Sequence, residues 1–438
     1  MVRLAMLLVG AKAFRRIWWA LPVTGAAWML LGLWLIADAS DGVLVVTAEV
    51  LGFFLMIQGA AAAFSAAAKR ARVRTLLLLR AGGLFVLGVM VALPLGVDHG
   101  IPDRTLFGLA FLVDGALRTA SAYVVRFSNW QFALAGGLAE IGVAWMVMGN
   151  WPIHHHYTVP MCLGVVLIAS GWSLVKLGSQ LRRLAPGASI TSLPLFAARG
   201  WYQARSALRP SSADSDSSDR ADTPMTLYVW TPVGSSQDPQ RRRLVDRYIA
   251  AVDAKGVIST GHSALECLPD VYISHYPAIE IDHSPDDFIK LLRAGTENDV
   301  PGEWQPSHAF EVAHWCEADQ RVDFDVYNPA ALRAFWEIYR ADDTYNLTGR
   351  SCSTVTSLAI ESALEGVLGG KRPLLTFFRL LIDPNLWMAA MLRRRGATMA
   401  WTPGLVLDYA RLLKVIVARR APARGRAAPA QATEAEVR

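Results

Sequence analysis

LGFFLMIQG at 51–59, FGLAFLVDG at 107–115 and LGVVLIASG at 163–171 are three copies of one apolar pattern, each carrying glycine at its second and last positions. The steps from Gly52 to Gly108 to Gly164, and from Gly59 to Gly115 to Gly171, are all 56 residues, and Arg70, Arg126 and Arg182 keep the same step. A looser series runs through Gly32, Gly88 and Gly142, each after a similar apolar pair. The repeated unit is a helical hairpin, present three times. Small residues at fixed positions let helix backbones approach closely, which is how helices associate where lipid removes the usual hydrophobic drive.

Around these glycines lie six apolar stretches, 17–36, 43–67, 75–96, 106–125, 130–149 and 157–177. Each approaches the ~20 residues that a helix needs to cross a ~30 Å hydrocarbon core. The 438 residues are 53% hydrophobic and 18% charged, against roughly 25% charged in soluble proteins, so a wholly soluble globule is excluded. The net charge of +6 comes with basic residues beside apolar segments and no basic-aromatic pattern, so no nucleic-acid partner is expected. Arg3, Lys12, Arg15 and Arg16 precede the first stretch, Lys69 to Arg74 follow the second, Arg126 the fourth, and Arg182 and Arg183 the last. The positive-inside rule then puts both termini in the cytoplasm. Residues 1–16 read as a short basic leader, with no cleavage signature after the first span.

Arg80, Asp114, Arg118 and Glu140 lie at or within spans, where a charge finds a partner. Asp114 and Arg118, four apart on one helix face, form a local ion pair in the simplest reading and part of a proton path in a bolder one. His154, His155 and His156 read as a loop at the membrane edge. Three glycine-centred hairpins with short loops and this basic spacing, over about 17–183, resemble the HdeD-type membrane proteins associated with bacterial acid resistance. The resemblance implies an all-α bundle of six transmembrane helices in a bacterial inner (plasma) membrane, with membrane lipids as partners.

Residues 184–224 read as a flexible linker, because 206–224, with SSADSDSSDRAD inside, is rich in Ser, Asp and Pro and has no periodic apolar face. From 225 the pattern changes. Strands are predicted at 225–230, 261–266, 271–276, 309–315 and 322–326, and helices at 238–255, 329–339 and 352–368, which makes 225–370 an α+β domain. In YNLTGRSCSTV at 345–355 a polar loop ends at Ser351, a good N-cap, so Cys352 opens a helix. Unpaired N–H groups and the helix dipole favour a thiolate there and an oxyanion beside it. His262, on a strand after Gly261, is the candidate base.

A strand-borne His followed by a helix-borne Cys resembles the circularly permuted papain-like proteins of the NlpC and lecithin:retinol acyltransferase type. The matching residues are His262 in GHSAL, the strand Tyr272-Ile273-Ser274, and Cys352; Ser351 stands where many relatives place Asn. The resemblance covers about 227–368 and implies a membrane-anchored cysteine hydrolase or acyltransferase acting on a peptide, amide or lipid, with no cofactor. For the orienting third residue, a two-residue turn at Pro269-Asp270 pairs residues whose numbers sum to 539 and brings His275 to the side of His262; a three-residue turn puts Ser274 there instead. His275 is the expected third member. Non-enzymatic acid-stress function, with the soluble half an inactive binding module, is the alternative.

Among His308, His314, Cys316, Cys267 and His283, the pair His314/Cys316 would share one strand face, but no CxxC or His-Glu-x-x-His is present and no metal is expected. The four cysteines are irregularly spaced and make no disulfide framework. Residues 371–420 are expected as amphipathic or membrane-associated helices, 405–417 on the inner leaflet or against the soluble domain, and 421–438 as a disordered tail. Arg379, Asp383 and Pro384 argue against a seventh span at 374–391.

Overall fold

In the computed structural model the described residues are 1–15, 17–41, 100–126, 130–149, 151, 155–184, 188–192, 223–232, 251–252, 258–279, 292–370 and 372–420, with isolated helical positions at Phe53, Met56, Ala60, Gly82, Phe85 and Val89. The chain forms two compact units. Met1–Ile17, Val124–Ser128 and Arg183–Arg438 make a mixed unit, and Trp18–Tyr123 with Asn129–Arg182 makes a helical one. Two short helices, α1 (Val2–Val9) and α2 (Ala11–Arg15), come first, followed by the long α3 (Ala20–Asp41), α4 (Gly100–Val125), α5 (Trp130–Gly149) and α6 (His155–Arg183).

The helical unit is inside out by soluble standards. Trp28, Leu30 and Leu33 on α3 and Phe132 and Trp145 on α5 face outward, as they should where the surrounding medium is lipid. Three segments among the described residues are long and apolar enough to cross a membrane: Ala20–Asp38, Trp130–Gly149 and Met161–Arg183. This makes the chain a multi-pass membrane protein by length and composition. The expected count of six is only partly met. Residues 43–67 and 75–96 lie outside the described residues, apart from isolated positions. The stretch at 106–125 is helical within α4 but falls short in apolarity, because Asp114 and Arg118 sit in it.

Glycines set the helix contacts. A Cβ at Gly32 would lie 2.5 Å from the Gly164 carbonyl, and one at Gly164 2.6 Å from that of Gly32; Gly25 stands in the same relation to Gly171, at 2.5 Å. α3 and α6 therefore touch backbone to backbone. On α4 and α5 the equivalent contact is Gly115 with Gly137, at 2.8 Å. Gly142 has nothing within 4 Å of such a Cβ; the packing positions of α5 are Gly137 and Ala144, which keep twice the 56-residue step from Gly25 and Gly32. The Asp114–Arg118 pair is present at 3.3 Å, and Glu140 joins Arg118 at 3.0 Å from the neighbouring helix.

In the mixed unit the strands are β1 (Met225–Trp230), β2 (Ala251–Val252), β3 (Ile258–Ser259), β4 (His262–Cys267), β5 (Val271–Ile273), β6 (His275–Pro277), β7 (Gly302–Trp304) and β8 (Gln320–Phe324). An antiparallel sheet runs in the order β5-β4-β1-β8, and β6 pairs separately with β7. The helices are α7 (His308–His314), α8 (Pro329–Tyr339), α9 (Cys352–Ala363), α10 (Pro373–Leu381), α11 (Pro384–Thr398) and α12 (Pro403–Arg420). All twelve residues of α9 are buried. Segment 309–315, expected as a strand, is helical instead: Ser307 caps it by accepting from Phe310 N–H at 3.2 Å, a signal the apolar alternation hid. Most of the expected helix at 238–255 lies outside the described residues.

Two segments thought peripheral belong to this core. α1 is buried from Leu4 to Val9, and Gly366 and Leu368 donate to the Leu7 and Leu8 carbonyls at 2.9 and 2.8 Å, satisfying the open end of the helix. Gly10, at φ +87°, makes the close approach possible, since a Cβ there would lie 2.7 Å from Gly366 Cα. Residues 2–9 are thus a docked helix, not a free leader. Likewise α12 buries Leu405, Val406, Tyr409, Leu413 and Ile416 under the sheet and α9, so it does not lie on a leaflet. Part of the expected linker is docked too: Ile190 N–H donates to Glu365 at 2.6 Å.

Candidate functional site

Cys352 is delivered by a rigid loop. The Asn346 side chain accepts from Thr348 and Gly349 N–H at 3.1 and 2.9 Å, and Arg350 holds the Thr344 carbonyl at 2.9 Å while lying 4.5 Å from the Tyr339 ring centre. Ser351 then caps α9, its hydroxyl accepting from Thr354 N–H at 3.3 Å. The cysteine stands at the helix start that its sequence predicts. It is 7% exposed. Burial pushes its thiol pKa up, while backbone and hydroxyl donors from Ser263 and Ser353 pull it down.

β4 alternates its side chains between two faces. Ser263 faces α9, with its hydroxyl 3.3 Å from Ser353 and 3.1 Å from Thr356. His262 takes the other face, over Trp230, and stacks on Tyr276 at 4.1 Å. Its Nε2 lies 2.9 Å from Ser274 Oγ and 3.4 Å from Glu311 Oε1. His262 and Cys352 thus have different hydrogen-bond partners; Cys352 Sγ lies 3.8 Å from Ser353 Oγ.

The Ser274 hydroxyl donates to Glu311 Oε1 at 2.9 Å. With its single hydrogen committed, Ser274 accepts from His262, so Nε2 of His262 carries the hydrogen. The basic lone pair is then on Nδ1, the ring nitrogen nearer the main chain. Glu311 also accepts from the Tyr272 hydroxyl. Burial pushes the Glu311 pKa up, and these donors restrain it. Burial, with His275 nearby, lowers the His262 pKa to about 3, so the imidazole is neutral.

The turn decides the third residue. β4 and β5 pair Leu265 with Ile273 and Cys267 with Val271, a sum of 538, so three residues, Leu268 to Asp270, make the turn. Ser274 comes to His262, and His275 does not: it starts β6, stacks on Trp304 at 3.9 Å and donates from Nε2 to the Asp343 carbonyl at 3.1 Å. Its buried Nδ1 has no hydrogen-bond partner, and burial lowers its pKa to about 4. The expectation for His275 rested on the shorter turn.

The candidate metal ligands are dispersed. His308 stacks on Tyr228 at 3.8 Å, His314 donates to the Phe310 carbonyl at 2.8 Å from its helix, and Cys267 Sγ lies 3.1 Å from Tyr327 OH. His283 and His154 lie outside the described residues. Sequence reasoning missed Glu311, because it took that segment for a strand; Ser307 three residues before Phe310 was the available signal. Comparison with protein-family models, curated proteins and solved structures finds no match for this chain.

Proposed function

We propose that the chain is a membrane-anchored cysteine hydrolase or acyltransferase, with an HdeD-like bundle of three hairpins as its anchor and a permuted papain-like domain on the cytoplasmic side. One observation carries the reading. Cys352 opens α9, which packs on β4, the strand that His262 opens, and the Ser274–Glu311 pair holds the far nitrogen of the His262 ring.

In this reading Cys352 gives its proton to His262 Nδ1 as the sulfur attacks a carbonyl carbon. Ser263 and Ser353 N–H groups stabilise the oxyanion. Collapse expels an amine or alcohol, which takes the proton back from Nδ1 and leaves a thioester. Water, or a second nucleophile in acyl transfer, then loses its proton to Nδ1 and releases the acyl group. Glu311 and Ser274 orient the ring and favour the imidazolium, replacing His275 in that role. Both groups start neutral, so the ion pair forms with the substrate. The cytoplasmic side is supported by the basic segments before Trp18, at Arg126 and after Arg182, which all belong to the mixed unit. A reducing compartment keeps Cys352 available.

An electrophilic thiol probe on the full chain tests this. Wild type should be labelled at Cys352, Cys352→Ser not at all, and His262→Ala and Glu311→Gln at rates reduced about 10²-fold and 10-fold. Equal labelling of Cys352 in wild type, His262→Ala and Glu311→Gln would overturn it. The deep burial of Cys352 favours the rival, a non-enzymatic acid-stress protein. Under that reading Cys352→Ala cells survive acid as wild type does, while cells lacking the spans do not.

A further inference from the structure

Among the described residues of the mixed unit, one group of exposed large apolar side chains lies on two adjoining helices. α10 and α11 meet at a 75° bend. Leu375, Phe378 and Ile382 follow one another along one face of α10 and its end, exposed by 41%, 62% and 78%, and Met388 and Met391 continue outward on α11 at 49% and 65%. Arg372, just before α10, Arg379 on it and Arg394 on α11 are exposed. Large apolar side chains rimmed by arginines are the composition of a helix lying in the headgroup region of an anionic leaflet.

The opposite face is committed. Leu380, Leu386, Ala389 and Gly396 are buried, Arg393 is held by Glu361 at 2.7 and 2.9 Å, and Asp383 takes Arg420 at 2.8 Å. Taking the pair across a bilayer would strand these charges in hydrocarbon, at several kcal/mol each. The bent pair therefore does not span. It is also tied to the entry of the first membrane helix. Phe377 packs on Phe14 with ring centres 5.1 Å apart, and only five residues separate Phe14 from Ala20, where α3 begins. Six steps of chain cover at most about 20 Å, so Phe14 stays within that reach of the start of α3 along the chain.

We propose that the α10–α11 elbow is a second, monotopic membrane contact: its apolar tip sits in the acyl boundary of the leaflet nearest the mixed unit, and its arginines take the anionic headgroups. This contact is independent of the cysteine chemistry. It would add a membrane contact to the chain connections that already join the two units.

The test places a genetically encoded benzophenone amino acid at Phe378 or at Ile382. Both side chains are exposed, so the replacements leave the packing in place. The full chain is reconstituted in nanodiscs of phosphatidylcholine and phosphatidylglycerol at three to one, irradiated, and its peptides are read by mass spectrometry. The expected result is phospholipid adducts at both positions, with phosphatidylglycerol enriched about twofold or more over its bulk share. Adducts in bulk proportion, adducts with polypeptide alone, or no adducts would each overturn the proposal.

Discussion

The two units use burial in opposite ways. In α3 and α5 the outward side chains are the large apolar ones and the contacts are made by glycine, whereas α9 in the mixed unit buries every side chain, seven of its twelve being Ser, Thr, Cys or Glu. A helix in lipid gains nothing from hiding apolar surface and is held by close approach. A helix in water gains from every apolar atom hidden, so a core this polar must satisfy each group internally. Ser263, Ser353 and Thr356 do so with one another, and Glu361 with Arg393 and Tyr409. Buried polar density of that kind costs stability relative to an apolar core. It runs the length of α9, from Cys352 to Glu361.

The largest effect that would sharpen this contrast is in the mixed unit. Glu361→Ala leaves Arg393 charged and buried without its carboxylate, and should cost about 3–5 kcal/mol in denaturant unfolding of the detergent-solubilised chain. A loss under 1 kcal/mol would mean that the core is wet. In the helical unit Gly164→Leu should cost about 1–3 kcal/mol, because the added side chain meets the Gly32 carbonyl. Gly142→Leu, with open space around it, should stay within about 0.5 kcal/mol. Equal effects at the two glycines would break the account of glycine-set contacts.

The pH dependence comes from the mixed unit. Above pH 6.5 His262 is neutral folded and unfolded. As pH falls below that value the unfolded imidazole binds a proton that the folded one refuses until about pH 3, so stability declines, by about 2 kcal/mol at pH 5 from this group alone. His275 adds in the same direction down to about pH 4; Glu311, raised in the folded state, opposes both. Unfolding midpoints should fall from pH 7 to pH 5, and His262→Gln should flatten the slope; a rise on acidification would refute the buried neutral imidazole. The smallest change is Ser351→Ala, removing the cap of α9 at about 1 kcal/mol while slowing the labelling of Cys352 by a misplaced sulfur.

Much of this was legible in the chain. The 56-residue step marks glycines that do make helix contacts, and SCSTV marks the start of α9, because a cap and a periodic face are local signals. The β1 strand and α8 lie where their patterns put them, for the same reason, and β8 lies two residues before its expected range. Other features are decided at a distance. Residues 2–9 look like any basic apolar leader, and only the N–H groups of Gly366 and Leu368 make them part of the core.

What the sequence by itself determined is which segments are apolar enough to cross a membrane and the position of the cysteine at a helix start, since hydropathy, glycine spacing and capping are properties of neighbours along the chain. What only the tertiary structure decided is which side chain attends the histidine. One residue more in the turn after Cys267 sends His275 away and brings Ser274 in, because side chains alternate with a period of two; Glu311 arrives from a helix nearly forty residues on, and no local pattern ties it to His262.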